Sequence, residues 1–502
     1  MKTKLTAIIL ALVLASVSLV SCADSDAPDA SVTDTSSESE STSESGAESS
    51  FVPEDDPNAE AVSVKSANYS LSNADMAYLF QNQYQNLLYS VSQNGMSLSS
   101  ISLDTNASLK DQECPIDESS DTWFDYFLKS TKSEAEQLLA LCEAARAAGI
   151  DVSEKAKSVA DTTIAEIKEY AEQNEYTLEE YIKLMFGSSV TEDTVRHMLM
   201  LSTTASAYIE SRLTKVDLSD AALEAAYEKN KYNYETVDYV TFAFDVDDLV
   251  DENASESERA DATSRVNKYA AELSKCRDRD SFLAYAKRNM VDVLGLTESE
   301  ASSAEKQLIS EGVKYSSTSE LTKWAFSADI GDIYTEETPG EPGLITIYLL
   351  TAKNPRSESV TKCNVRHILF LADDYDDDTK VREVYDSWVA NGADVDEFIE
   401  LVSEYSGDPG SVDNGGLYEG VAVGEMVDEF NDWIFDASRV HGDHGIVETS
   451  YGWHIMYYEE GFAEWKYDMR EELLNNEYSA ISSEIKDTEI TFDEDLLATL
   501  PA

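Results

Sequence analysis

Between Met76 and Val91 the apolar side chains return every three or four residues (Met76, Leu79, Phe80, Leu87, Leu88, Val91), the period of one face of a helix. Asn94-Gly95 reads as its stop. The same period runs from Trp123 to Ala148, closed by Gly149, and from Ser153 to about Glu175. Thr177-Leu178-Glu179-Glu180 reads as a capping box opening a short helix that Gly187 closes. Further helices are predicted over Glu192–Leu213 and, capped by Ser219, over Asp220–Lys231. Residues 66–235 are therefore predicted to form a helical domain. Its aromatics (Tyr78, Phe80, Trp123, Phe124, Tyr126, Phe127) have the spacing of a core, although periodicity alone does not separate a core from a groove for unfolded chains. After Gly461 a last stretch, Trp465, Met469, Leu473, Tyr478, Ile481 and Ile485, is helical in spacing again.

In between, the pattern changes. Val237–Phe244 is strand-like, Glu258–Cys276 and Ser281–Asn289 read as helices, Leu321–Phe326 precedes a Gly331-Asp332 turn, and Leu344–Leu350 is an apolar strand. From Cys363 the order recurs: the strand CNVRHILF, helices over Lys380–Asn391 and Asp394–Ser403, and the turn-rich YSGDPGSVDNGG (Tyr405–Gly416). GEMVDEFNDWIF (Gly424–Phe435), a Gly442-Asp443 loop and the closing strand TSYGWHIMYYEE (Thr449–Glu460) follow. This recurrence predicts an internal repeat of α+β modules.

The first residues set an address. Lys2 and Lys4 precede an apolar run from Leu5 to Val20, the layout of an export signal and too short for a membrane span. It ends in Leu19-Val20-Ser21-Cys22, which resembles the lipobox of bacterial lipoproteins, so Cys22 is the expected site of lipidation after removal of residues 1–21. Residues 22–65 are then expected to be a disordered acidic, Ser-rich tether: between Asp24 and Glu60 there are twelve acids and no basic residue. Over the 502 residues, 37 Lys and Arg stand against 99 Asp and Glu, a net charge of −62. Such a polyanion is repelled by phosphate backbones, which excludes nucleic acid as a partner. Five Cys without CxxC spacing support neither a disulfide scaffold nor a zinc ribbon, and the pairing of Cys114, Cys142, Cys276 and Cys363 stays open.

Three separated motifs, RHIL (Arg366–Leu369), YSGDPGSVDNGG and YGWHI (Tyr451–Ile455), agree in order and spacing with the parvulin-type peptidyl-prolyl cis/trans isomerases, which residues 362–460 closely resemble. The lipobox and the helical region extend the resemblance to extracytoplasmic foldases of the PrsA type. The resemblance implies a catalytic set of His367, His454 and Asp408, and a proline pocket of Met426 and Phe430 with Leu369. Spaced i, i+4, Met426 and Phe430 would share a helix face, as a pocket wall or as plain core. Where many members carry Ser or Thr before the second histidine this chain has Tyr451, with Thr449 and Ser450 adjacent, so the hydroxyl of the site is not fixed by the motif. Residues 236–352 are expected to be a degenerate parvulin-like domain, with Phe242 near the place of His367 and Ile345 or Thr346 near that of His454. The helical domain is expected to be completed by 463–495.

Members that prefer phosphorylated clients carry a basic cluster after the first strand. Here that loop is ADDYDDD (Ala372–Asp378), which repels phosphate. It reads as a solvated acidic face, its spacing not that of an EF-hand loop. His441 and His444 lack a third placed ligand for zinc, and His197 reads as structural. No cofactor or metal is predicted. The expected whole is an α+β multidomain protein: a helical chaperone-like domain, a parvulin-type α+β domain and a second, degenerate one. Its expected function is a membrane-anchored isomerase and foldase acting on unfolded exported polypeptides with X–Pro bonds, lipid-anchored on the extracytoplasmic face of the cell membrane. The alternative is a non-catalytic holdase using the modules for binding. Homodimerisation stays open.

Overall fold

The computed structural model describes residues 57–93, 96–337, 343–375 and 377–500, which divide into two compact units. Cys22, the signal segment, the Asn94-Gly95 stop and the tether up to residue 56 lie outside the described residues. Among the described residues no helix is long and apolar enough to cross a membrane.

The first unit takes the chain up to Asp217, then 388–416, then everything from Glu472. It begins inside the predicted tether: Val62–Lys65 is a strand (β1), antiparallel to Ser70–Ser72 (β2) and to Thr491–Phe492. The acidic composition conceals it, because one buried apolar side chain, Val64, and a partner strand more than 400 residues away supply its stability. Five helices follow: α1 (Asn73–Gln93), α2 (Trp123–Ala147), α3 (Ser153–Gln173), α4 (Leu178–Phe186) and α5 (Glu192–Leu213). Thr122, Thr177 and Thr191 each form a capping box, satisfying N–H groups that the first helical turn leaves unpaired. Tyr78, Phe80, Trp123, Phe124 and Phe127 are all buried, so these rings belong to the core and not to a groove. Phe80 meets Phe127 edge-on at 5.8 Å and Trp123 stacks on Phe127 at 5.8 Å. Each such ring contributes about 2–3 kcal/mol of hydrophobic burial.

The C-terminal end closes this unit. Ile481, Ile485, Leu497 and Leu500 lie in the same core, and Arg212 pairs with Glu477 (2.7 Å) and Glu484 (2.6 Å). The Asn73 amide donates to the Leu496 carbonyl at 3.2 Å.

His197, expected to be structural, has its Nδ1 3.1 Å from the buried Asp75 carboxylate, which raises the imidazole above its ordinary 6.5. The folded-state value lies above the unfolded one, so this contribution is complete below about pH 6.5 and is lost as the pH rises through the raised value. With the ring partly exposed it amounts to less than about 1 kcal/mol. Urea midpoints followed by circular dichroism are expected to fall as the pH rises across that interval, and to fall less in His197→Gln. An unchanged slope in the variant would refute the assignment.

The second unit takes 218–387 and 417–471 and contains two four-stranded antiparallel sheets. In the first, β3 (Thr236–Phe244), β4 (Ile309–Val313), β5 (Ile333–Glu337) and β6 (Ile345–Asn354) lie in the order β4-β3-β6-β5. In the second, β7 (Val360–Leu371), β8 (Leu417–Ala422), β9 (His444–Thr449) and β10 (Gly452–Ala463) lie in the order β8-β7-β10-β9. The topology is the same, and so is the fine detail. The register shifts after Asp238 in the β3–β6 pair and at Asn364 in the β7–β10 pair. At the first of these sites Asp238 accepts the Gly312 N–H at 2.8 Å; at the second, Asn364 accepts the Gly420 N–H at 2.8 Å. Gly331 N–H donates to the Leu350 carbonyl as Gly442 N–H does to that of Tyr458, both at 2.9 Å.

These anchors align Leu350 with Tyr458, and Tyr239, across from Leu350, with Val365, across from Tyr458. Two residues after Val365 and Tyr239, and four residues before Tyr458 and Leu350, the places of His367 and His454 are held by Thr241 and Thr346. The sequence pattern puts Phe242 at the first place; β3 is one residue out of that alignment, and Phe242 points to the opposite face, into a core with Phe244, Val266 and Phe282.

Helices of this unit are α6 (Asp220–Asn230), then α7 (Glu256–Leu273), α8 (Arg279–Asp292), α9 (Glu298–Glu305) and α10 (Glu320–Ser327) in the first module. The second module has α11 (Thr379–Ala390), α12 (Val395–Tyr405) and α13 (Asp428–Ile434), of which α12 is counted with the first unit. α6, expected in the helical domain, is held here instead. Tyr227 meets Trp465 at 5.4 Å, and the Arg356 guanidinium lies over both rings (4.1 and 3.5 Å) while pairing with Glu224 and Glu358. β4 and α9 are not legible in the sequence, being short and weakly patterned.

Candidate active site

The site is built on β7 and β10, the two central strands of the second sheet. Side chains alternate across a strand, so His367, Leu369, His454 and Met456 share one face; His367 lies opposite Met456, and Leu369 opposite His454. Both histidines are buried, at 3% and 5% exposure. Their Nδ1 atoms are 2.9 Å apart and their rings lie nearly parallel, with centroids at 5.2 Å. Between two Nδ1 atoms one must donate and the other accept, so the contact carries a single proton. The other nitrogen of His454, Nε2, is 2.9 Å from the Thr449 hydroxyl, which also accepts the Tyr451 N–H at 3.2 Å. The hydroxyl that the motif leaves open is therefore that of Thr449, five residues before the histidine, across the β9–β10 turn.

α13 covers this face. Phe430 presents itself edge-on to both imidazoles, at 5.5 Å each, and Tyr418 of β8 stacks on His367 at 5.3 Å. Met426 packs on the same cluster as Phe430. It does so from the bend ahead of α13, which starts at Asp428, so the expected shared helix face is not what brings the two together. Leu369 is 6% exposed, beside His454. The structure thus gathers His367, His454, Phe430, Met426 and Leu369, and adds Thr449 and Tyr418, which the sequence does not single out. Tyr418 carries no usable signal, since its approach to His367 depends on the β7–β8 register.

Asp408 has partners in its own loop. Its carboxylate accepts the Ser411 hydroxyl and the Gly410 N–H (3.2 Å), and its carbonyl accepts the Val412 N–H (3.1 Å), so it shapes the DPGS turn. In the same apolar cluster as Phe430 and Met426 the Cys363 thiol lies 3.6 Å from the Tyr458 hydroxyl, and burial pushes both groups up. His444 bonds the Tyr385 hydroxyl at 2.8 Å and His441 the Glu459 carbonyl at 2.8 Å, each engaged separately. In the acidic loop Asp377 accepts the Thr379 N–H at 2.9 Å, at the start of α11, and Asp378 pairs with Arg382 at 2.6 Å. The four described cysteines are free thiols.

An arrangement of two buried imidazoles and a hydroxyl behind an apolar wall offers hydrogen bonds on a poorly solvated surface. It suits a reaction in which no covalent bond to the protein forms.

Residues 347–460 match the family described as PPIC-type PPIASE domain. The chain is 23% identical over 297 residues to the chaperone SurA of Hahella chejuensis, covering 57% of this chain and 63% of that one. It is 32% identical over 131 residues to the chaperone SurA of Pseudomonas fluorescens, covering 25% and 29%. The match therefore spans less than two thirds of these relatives. Among solved structures, PrsA from Bacillus subtilis aligns over 59% of this chain and 87% of its own, at 17% identity and a TM-score of 0.19.

Proposed function

We propose, on the premise that this chain carries a PPIC-type PPIase domain and resembles the SurA and PrsA chaperones, that it is a peptidyl-prolyl cis/trans isomerase and foldase for exported polypeptides. Rotation about an X–Pro bond is slow because it breaks amide resonance, a barrier of about 20 kcal/mol. A site that binds the twisted amide better than either planar isomer lowers that barrier without bonding to it. The observation that carries this reading is the His367–His454 pair, closed on one side by Phe430 and tied on the other to Thr449. In the proposed roles the pair and Thr449 orient hydrogen bonds near the prolyl carbonyl, and Phe430, Met426 and Leu369 receive the ring. Asp408 shapes the DPGS turn. The signal-like residues before Cys22 support anchoring of the protein by lipid on the extracytoplasmic face of the membrane.

The test is the isomerisation rate of an unphosphorylated X–Pro peptide with the full chain. We expect catalysis above background, reduced about 10- to 100-fold in the double variant His367→Ala/His454→Ala, since geometry outweighs any single group. No rate above background would eliminate the enzyme reading. A second reading, a non-catalytic holdase, is favoured by one observation: the chain keeps a copy of the module with threonines at both histidine places. It requires the wild-type chain to suppress aggregation of an unfolded client equally well with and without the histidines.

A further inference from the structure

The two modules of the second unit share strand order, register shifts and turn hydrogen bonds, yet the equivalent sheet faces differ in kind. In the second module that face is closed: His367, Leu369, His454 and Met456 are all buried. In the first, the corresponding Thr241, Ala243, Thr346 and Tyr348 are half-buried or exposed, and among the described residues α10 covers the end of the face, where Val237 and Leu350 pack on Ala325. The opened face is aromatic. Tyr239 meets Tyr348 edge-on at 5.6 Å, Tyr348 meets Tyr334 at 5.9 Å and Tyr334 meets Trp324 at 5.3 Å, so four rings form one continuous run. Glu336, paired across the strands with Thr346 and exposed, accepts a hydrogen bond from the Tyr348 hydroxyl at 3.2 Å and puts a carboxylate at the border of the rings.

We propose that this aromatic face of the first module, with Glu336 at its edge, receives the Arg and Lys side chains of an extended polypeptide. Ring faces attract a cation through their quadrupole, and an adjacent carboxylate adds a full charge. The molecule contains an example of the same chemistry: Arg356 lies over Trp465 and Tyr227 while two glutamates pair with it. Among the described residues no Lys or Arg of this chain lies over Tyr239, Tyr334, Tyr348 or Trp324, so an internal cation does not fill the first module's run. The surrounding charge favours the same occupant, since residues 236–354 hold 23 Asp and Glu against 12 Lys and Arg. The inference goes beyond the isomerase reading and does not depend on it: it concerns what the client carries away from its prolines, at a face without histidines.

The experiment compares two labelled, proline-free peptides that differ only in arginine against citrulline, titrated with the full-length chain and read by fluorescence anisotropy. The arginine peptide is expected to bind roughly 3- to 30-fold more tightly. Tyr348→Leu and Glu336→Gln should each shrink that ratio while leaving the citrulline peptide's affinity and the X–Pro isomerisation rate unchanged. Glu252→Gln, an exposed acid elsewhere in the module, should leave the ratio intact. Equal affinities in the wild type would overturn the proposal, as would a ratio that survives both face variants or one that Glu252→Gln lowers as much as Glu336→Gln. Should Tyr348→Leu fail to fold, Glu336→Gln decides alone, because its side chain is exposed. Failure of isomerisation with the peptide preference intact would refute the enzyme reading and spare this one.

Discussion

Phe430→Ala is expected to destabilise the second module by about 3–5 kcal/mol and to reduce X–Pro isomerisation to near the uncatalysed rate. The ring is 3% exposed, packs with Ile434, Val447 and Met456, and meets both imidazoles edge-on at 5.5 Å. Deleting it removes the hydrophobic burial and leaves a cavity beside two polar rings. Phe430→Leu separates the two effects. It keeps most of the volume, so its cost is below about 1.5 kcal/mol, and the module should fold while the rate falls by less than in the alanine variant. Urea denaturation and the peptide assay on the same preparations check this. An alanine variant with wild-type midpoint and rate would show that Phe430 is neither keystone nor wall.

Gly452→Ala should cost about 3 kcal/mol or more, although it adds a single methyl group. Gly452 opens β10 at φ +139°, and a Cβ there would sit 2.0 Å from the Phe370 carbonyl oxygen and 2.8 Å from the Ala372 nitrogen. The first of these atoms belongs to β7, the strand that carries His367, and the second follows directly after it, so relief requires the two central strands to move apart. Gly424 provides the comparison: its φ is +82° and nothing lies within 4 Å of where a methyl group would stand, so Gly424→Ala carries backbone strain of only about 1 kcal/mol. A difference of about 2 kcal/mol between the variants in chemical denaturation is the expected result. Equal costs would mean that the strand contact yields freely.

The parts of this molecule that can be read from sequence are those encoded locally. Thr177 and Glu180 announce a helix start because cap and partner stand three residues apart, and Gly187 ends the helix at φ +91°, a conformation its lack of a side chain permits. His367 and His454 are legible because each sits inside a motif of several residues. What escapes depends on pairing between distant segments. Whether Thr241 or Phe242 takes the place of His367 is a matter of strand register, and one residue changes the face. Thr449 reaches His454 only because β9 and β10 fold back on each other, and β1 exists because Thr491–Phe492 pairs with it. β4, with Gly312 inside a five-residue strand, has too little apolar pattern to stand out from a loop.

The pairing of Val64 with Phe492 sets an order of assembly. A chain made from its N-terminus has both α+β modules complete before residues 491–492 exist, and these modules need nothing later than Ala463 for their strands. The helical unit must wait: its first strand, the Asn73 bond to Leu496 and the packing of Ile481, Ile485, Leu497 and Leu500 all require the final few dozen residues. Closing a loop of that length costs more entropy than closing a shorter one, though the cost grows only logarithmically with length. Residues 472–500 therefore complete the helical unit last. A chain that stops short of them would carry finished modules on an open helical unit, with the apolar faces of α1 and α5 incompletely covered and exposed to aggregation or proteolysis.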